Sequence, residues 1–175
     1  INPGIAGLLS DENENVYAQN GQQLFLLQQD KIASTYSVAG NNSFFWKGQQ
    51  WFYKTATTIQ NNNGDIINLH HAIVTEQGFL NNRRIAFDKK GRLIISGNYL
   101  FIIERNLDVH AAQLPYYTDN IAVDDNNNYW TFNRGGGIHS WLLKENGIFQ
   151  NKDSFIIRNI SPRFSLRWNA DTFCI

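Results

Sequence analysis

A turn-and-strand unit that recurs about every forty residues constrains this chain more than any other feature. A polar turn rich in Asp, Asn and Gly leads directly into an aromatic or branched residue at Tyr17, Trp51, Ile94, Trp130 and Phe173, at intervals of 34, 43, 36 and 43 residues. Two copies align without a gap: Ile85-Ala-Phe-Asp88-Lys-Lys-Gly91-Arg-Leu-Ile94-Ile and Ile121-Ala-Val-Asp124-Asp-Asn-Asn127-Asn-Tyr-Trp130-Thr. Leu8 to Tyr17 and Phe164 to Phe173 are weaker copies, and Phe44-Phe-Trp-Lys-Gly48-Gln-Gln-Trp51 keeps the Gly and Trp but has Phe45 where the acid belongs. Each copy reads as a β-hairpin, with alternating apolar residues on either side of a turn in which Asp binds backbone amides and Gly or Asn accepts a positive φ.

A repeat of this length built from hairpins predicts one four-stranded sheet per unit. The expected fold is all-β: a partial β-propeller of about four blades, each a four-stranded antiparallel sheet. It forms a single domain over 1–175, with blade turns near 11–17, 45–51, 88–94, 124–130 and 167–173. Further strands are expected at Leu24 to Leu27, Phe52 to Ile59, Ile66 to Val74, Leu100 to Glu104, Ile138 to Leu143 and Ser154 to Arg158, where aromatic and branched residues concentrate. Asn61 to Gly64, Gly97-Asn98 and Glu145 to Gly147 read as turns. No stretch of ten or more residues carries helical periodicity with caps.

Composition narrows the function. Apolar residues at 42% support a packed core. Fifteen basic and fifteen acidic side chains cancel, which removes the positive field typical of nucleic-acid or anionic-membrane binders. The longest apolar run, Tyr99 to Ile103, is far short of the roughly 20 residues that cross a bilayer, so direct membrane insertion is not expected. The absence of Met predicts that residues upstream have been removed. Cys174 has no second cysteine and reads as a small buried apolar residue.

Chemical motifs are scarce. Asp11-x-Asn13-x-Asn15 and Asp124-x-Asn126-x-Asn128 imitate the start of a calcium loop, but the sixth position is Val16 or Tyr129 instead of Gly and the twelfth is Gln22 or Gly135 instead of Glu. Turn chemistry accounts for both, and no metal or other cofactor is expected. His70 and His71 would point to opposite faces of a strand, and His110 and His139 stand alone, so all four read as structural or surface residues. Asn133-Arg134-Gly135-Gly136-Gly137 runs into a strand and not a helix, which favours a hairpin or bulge over a phosphate loop. There is no Gly-x-Ser-x-Gly, and Asp65, Glu76, Glu104 and Asp119 are acids that sequence alone cannot pair. No catalytic constellation stands out.

Binding is better supported. Flat aromatics stack on sugar faces, and Arg, Asn and Asp hydrogen-bond sugar hydroxyls. Trp46, Tyr116, Tyr117 and Trp141, with Arg83, Arg84 and Arg134, place that vocabulary near turns and are the candidate ligand-binding residues, set against an ordinary role for such aromatics in packing between sheets.

The string Leu114-Pro-Tyr-Tyr-Thr-Asp-Asn120-Ile-Ala-Val-Asp124-Asp-Asn-Asn-Asn-Tyr-Trp130, followed by Gly135-Gly136-Gly137-Ile138, resembles the two-component regulator propeller repeat. That repeat runs from a Leu-Pro turn through an apolar strand, an Asp-x-x-Gly turn and Trp to a Gly-Gly-apolar step. Gly78 to Gly91 is similar to the same pattern, as is Ile160-Ser-Pro162 leading into Phe164. Asn127 stands in place of Gly, Ile94 and Phe173 in place of Trp, and Phe132-Asn133 in place of Gly-Thr. The resemblance implies the periplasmic sensor portion of a hybrid two-component or one-component regulator of Gram-negative gut bacteria. There the propellers precede a β-sandwich, a membrane helix and a kinase or DNA-binding module, and the ligands are often glycan fragments.

The final copy stops at Cys174-Ile175, in mid-blade, which predicts an incomplete arc of a larger propeller. The expected function is therefore non-enzymatic sensing of a small molecule or oligosaccharide, with neighbouring blades or domains of the parent protein as partners. A protein-interaction scaffold and a fragment of a polysaccharide-acting hydrolase or lyase are the alternatives.

Overall fold

The computed structural model describes residues 7–20, 22–38, 43–70, 85–118, 120–133, 137–144 and 149–156, together with the backbone of the strand pair Leu166–Asn169 and Thr172–Cys174. No described residue is helical. The first sheet comprises β1 (Gly7–Ser10), β2 (Val16–Asn20), β3 (Gln23–Gln28) and β4 (Lys31–Ser37). The second comprises β5 (Phe44–Trp46), β6 (Gln49–Thr55), β7 (Thr58–Asn61) and β8 (Ile66–Asn68). The third holds β9 (Ile85–Phe87), β10 (Leu93–Ser96), β11 (Tyr99–Ile103) and β12 (Val109–Gln113). The fourth holds β13 (Asn120–Val123), β14 (Tyr129–Phe132), β15 (Gly137–Leu143) and β16 (Phe149–Ile156), and β17 (Leu166–Asn169) pairs with β18 (Thr172–Cys174). Within each sheet the strands neighbour one another in chain order and every pairing is antiparallel. The expected architecture of four-stranded blades is therefore realised.

The sheets stack face to face in sequence order because their central strands are apolar on both sides. In β10, Leu93 and Ile95 pack with Phe44, Trp46 and Trp51 of the second blade, whereas Ile94 between them packs with Ile121, Val123 and Tyr129 of the fourth. In β11, Phe101 and Ile103 join the former cluster, and Leu100 and Ile102 the latter. Successive side chains of a strand point to opposite faces, so an unbroken apolar run here means a sheet buried on both sides. A two-sheet sandwich would leave each sheet one wet face. The first blade joins the stack through Tyr17 and Phe45, whose rings lie parallel at 4.8 Å, and through Tyr36, set edge-on to Phe45 at 4.8 Å. Fourth strands such as β4 and β12 contain no buried residue, as outer edges of blades should.

Five loops share one geometry. In 11–15, 61–65, 88–92, 104–108 and 124–128, the first residue's carbonyl accepts from the fourth residue's N–H, and its own N–H donates to the fifth residue's carbonyl. The fourth residue has positive φ: Glu14 63°, Gly64 94°, Gly91 69°, Leu107 77° and Asn127 57°. This is a type I turn closed by a left-handed residue, the usual form of a three-residue hairpin loop. Asp fits the first position because Oδ1 accepts two backbone N–H groups, as Asp124 does from Asn126 at 2.9 Å and Asn128 at 2.8 Å. Its Oδ2 accepts from Asn128 Nδ2 at 2.6 Å and Trp130 Nε1 at 3.0 Å. The calcium-like spacing is thus turn chemistry, with the acid's oxygens engaged by N–H donors.

Some strand boundaries differ from expectation. The single strand expected over Phe52 to Ile59 is two, β6 and β7, joined by a turn at Ala56-Thr57 that carries no Gly or Pro signal. Of Ile66 to Val74 the structure describes β8 and Leu69-His70, with His70 at φ 58° outside the strand. The second blade lacks the Asp loop because β5 and β6 are joined by the two-residue turn Lys47-Gly48, both at positive φ, which has no place for that acid. The turns expected at Glu145 to Gly147 and around Ala170-Asp171 lie outside the described residues, as do His71 and the side chain of Cys174.

Two outcomes follow from the loop geometry. Asp124→Ala should lower the unfolding free energy by about 2–4 kcal/mol in a denaturant titration, because four donors lose their acceptor. Burial alone would raise the Asp124 pKa, but bonds from Asn128 and Trp130 outweigh it and hold the carboxyl below its ordinary value. Its contribution is therefore present above the ordinary carboxylate pKa and is lost as pH falls through the folded value, so acid unfolding of Asp124→Asn should be less steep than that of the parent chain. Glu14→Gly, which relieves a left-handed non-glycine residue, should stabilise by about 1 kcal/mol in the same titration.

Candidate functional site

The junction of the third and fourth blades carries polar chemistry at both ends. At the end bearing the Asp loops, Arg92 enters the interior immediately after the 88–92 loop, with its side chain 8% exposed. A buried guanidinium needs acceptors on every side. Its Nε donates to Asp88 Oδ2 at 2.6 Å, one terminal nitrogen to Glu104 Oε1 at 3.0 Å, and the other across the junction to the Tyr129 hydroxyl at 2.6 Å. Tyr129 donates in turn to Asp88 Oδ2 at 3.4 Å. Burial opposes the arginine's charge, but its bonds to Glu104 and Asp88 reverse the effect and raise its pKa. Burial, foremost, pushes the Tyr129 phenol well above its ordinary range against the pull of Arg92.

Above this network lies an open cleft of about 400 Å³. Lys90, Glu104 and His110 line it from the third blade, and Asn126, Asn127 and Lys144 line it from the fourth. Tyr129, Leu142 and Leu143 complete the lining with Arg92. The adjacent Lys89 bridges the blades twice, through Asp125 at 2.8 Å and by its N–H to Asn127 Oδ1 at 3.4 Å. The other junctions are clasped at the same end. Glu12 Oε1 accepts from the Lys47 N–H at 2.6 Å between the first and second blades, and Trp46 Nε1 donates to the Gly91 carbonyl at 2.8 Å between the second and third.

At the opposite end, the 114–118 segment crosses from β12 towards β13 and is tied to the β10–β11 turn. Thr118 N–H and hydroxyl both donate to Gly97 O at 3.0 Å. Tyr116 stacks on His139 with ring centroids 4.0 Å apart, and its hydroxyl lies 3.4 Å from Thr131 Oγ1. Thr131 Oγ1 also accepts from Trp141 Nε1 at 2.9 Å. Ser154 donates to Asn151 Oδ1 at 3.0 Å, so its 2.9 Å bond with His139 Nδ1 requires the imidazole to donate. Burial lowers the His139 pKa, which favours a neutral ring with its proton on Nδ1 and a lone pair on Nε2. Burial also pushes the Tyr116 phenol up to about 12.

The structure therefore brings Tyr116 and Trp141 together through Thr131, and Tyr117, half-buried, follows Tyr116 in the 114–118 segment. Trp46 is elsewhere. It is fully buried between the second and third blades, against Trp51 at 5.4 Å, and offers no ring face to a ligand. The sequence-based expectation for Trp46 is corrected accordingly: an indole in this register packs between sheets. Trp141, 8% exposed within the third–fourth blade core, presents little face either. Arg83, Arg84 and Arg134 lie outside the described residues, as do Glu76 and Asp119. Asp65 accepts from Asn61 Nδ2 at 2.7 Å within its own turn, far in sequence from Glu104 at the cleft. Arg92, Tyr129, Lys90 and Lys144 were not among the sequence candidates. A cation opening the apolar run Arg92-Leu93-Ile94-Ile95 was the available signal, since arginine enters a core only with partners.

Comparison with solved structures shows the fold. Virginiamycin B lyase from Staphylococcus aureus, in a catalytically inactive H270A form with quinupristin, matches at TM-score 0.57 and 15% identity over 94% of this chain and 60% of that one. The β-propeller domain of Cps50 (Swd1) from Myceliophteria thermophila matches at TM-score 0.55 and 10% identity, over 87% of this chain and 60% of that one. The extracellular domain of a putative hybrid two-component system from B. thetaiotaomicron aligns at 15% identity over 85% of this chain and 28% of that one, with a TM-score of 0.37. No family model matches the sequence, and no curated protein does. The chain spans about 60% of the length of the first two solved structures. At these identities the likeness establishes a β-propeller fold.

Tyr129→Phe should lower stability by about 1–3 kcal/mol in denaturant unfolding, since it removes the acceptor that Arg92 finds across the junction. Tyr116 provides a check at the other end. Its folded pKa lies above the unfolded value, so its contribution is complete below about pH 10 and declines as pH rises towards the folded value. Ultraviolet titration should show a phenol ionising near pH 12, ahead of the more strongly raised Tyr17 and Tyr129, and Tyr116→Phe should remove that step.

Proposed function

We propose that this chain is a ligand-sensing propeller segment of a cell-envelope signal-transduction regulator, and that it binds a small molecule or glycan fragment without transforming it. The observation that carries this reading is the cleft between the third and fourth blades. Its lining side chains Arg92, Glu104 and Tyr129 also hold those blades together. A ligand that bonds to Glu104 or Tyr129 would draw on the junction itself, which gives binding a route to a change in blade packing. The resemblance of the 114–138 segment to the two-component regulator propeller repeat supports the sensor assignment. It also suggests the periplasmic or extracellular side of a Gram-negative cell. No described helix is long and apolar enough to cross a membrane.

Neighbouring blades of the parent protein are the proposed partners. Leu8, Val16 and Ile32 of the first blade are 66%, 41% and 57% exposed. The strand register places them on the face opposite Tyr17, the side turned away from the second blade. Sheets elsewhere in the stack cover such faces with another sheet. The same exposed patch favours, as a second reading, a scaffold for protein partners.

The full-length gene and a glycan screen separate these readings. The sensor predicts a membrane helix followed by a kinase or DNA-binding module, and a thermal shift of the intact protein with at least one host or plant oligosaccharide. A gene lacking both features, with no shift across the screen, contradicts it and favours the scaffold.

A further inference from the structure

We propose that the cleft between the third and fourth blades takes a small oxyanion-bearing ligand, a carboxylate or phosphate on a compact polar body, held between Lys90 and Lys144. The inference rests on the reading of that cleft as a ligand site and adds the ligand's charge. Arg92 does not supply the attraction, because its guanidinium is already bonded to Asp88, Glu104 and Tyr129. Glu104 is paired and not a free charge: its Oε1 lies 3.0 Å from Arg92, and His110 Nε2, at 3.9 Å, adds to that only when its ring is protonated. Lys90 stands in the 88–92 loop on one wall and Lys144 at the end of β15 on the other. Both are exposed, and among the described residues neither ammonium has an acceptor. The contrast with Lys89 is instructive, because that neighbour is paired with Asp125 at 2.8 Å.

Arg92 with its two acids is net negative, and Lys90 and Lys144, unpaired among the described residues, bring the described lining to a net positive charge. Facing cations in a concave site, walled in part by protein of lower dielectric than water, focus the field on its centre. The rest of the lining fits a compact body behind the anion. Leu142, Leu143 and the Tyr129 ring offer apolar contact, and the Asn126 amide offers hydrogen bonds. A volume of about 400 Å³ is at the small end of ligand sites and suits one or two rings.

Isothermal titration of the full chain with glucuronate, glucose 6-phosphate and glucose, at one ionic strength, tests the charge. Both anions should bind about tenfold more tightly than glucose, and whichever is tighter identifies carboxylate or phosphate as the natural group. Lys90→Ala/Lys144→Ala, and separately Lys90→Gln/Lys144→Gln, should each weaken anion binding about tenfold and leave glucose binding unchanged, while Lys54→Ala on the second blade changes neither. Anion binding that survives both double variants overturns the inference. So does glucose binding as tightly as the anions, a result that would leave the ligand-binding reading standing. Absence of binding by all three probes also overturns the anion assignment, and the sensor reading then depends on its own glycan screen.

Discussion

A β-sheet with two apolar faces has to be covered on both, and the rest of this structure follows from that requirement. β10 and β11 alternate apolar side chains towards the second blade and towards the fourth, with Leu93, Ile94, Ile95 and Phe101 all fully buried. No single hairpin repeat buries such a surface by itself, so the units are stable only in a stack. Stacking fixes where loops fall. In the four four-stranded sheets the first hairpin of each blade turns at the same end, and there the three junctions between them acquire polar clasps of their own: Glu12 to Lys47, Trp46 to Gly91, and Arg92 to Tyr129.

The clasps differ in chemistry from one junction to the next. Trp46 and Gly91 close the second junction with one neutral hydrogen bond under a buried indole. At the third junction an arginine, two acids and a phenol occupy the same place, and the wall above them opens into a cleft. A buried ion network of this kind contributes less net stability than an apolar core of equal volume, because each charge loses its hydration. Its presence where a cleft forms is the reason the proposed ligand site is placed at the third junction.

Much of the fold was legible in the sequence because turn chemistry repeats. Asp11, Asp88 and Asp124 mark three loops of one geometry, and the apolar alternation beyond each gave the strands. The loops at 61–65 and 104–108 share that geometry but start with Asn61 and Glu104, so their likeness to the others emerges only from the backbone. Outer strands were harder to read. Lys31–Ser37 and Val109–Gln113 are half exposed and mixed in polarity, because an edge strand faces water and carries no strong pattern. The turn at Ala56-Thr57 left no signal at all. For the site, aromatic residues near turns were an ambiguous guide. Trp46 and Tyr116 look alike in sequence, yet one sits inside the stack and the other at its end, and only the register of neighbouring sheets decides which.

Stability measurements on two adjacent positions in β10 test the stacked arrangement most directly. Leu93 faces the second blade and Ile94 the fourth. If both faces are buried against neighbouring sheets, Leu93→Ala and Ile94→Ala should each lower the unfolding free energy by about 2–5 kcal/mol. A result in which either variant stays within about 0.5 kcal/mol of the parent chain would mean that this sheet has a wet face. The blade-by-blade stack, and the cleft built on it, could not then stand.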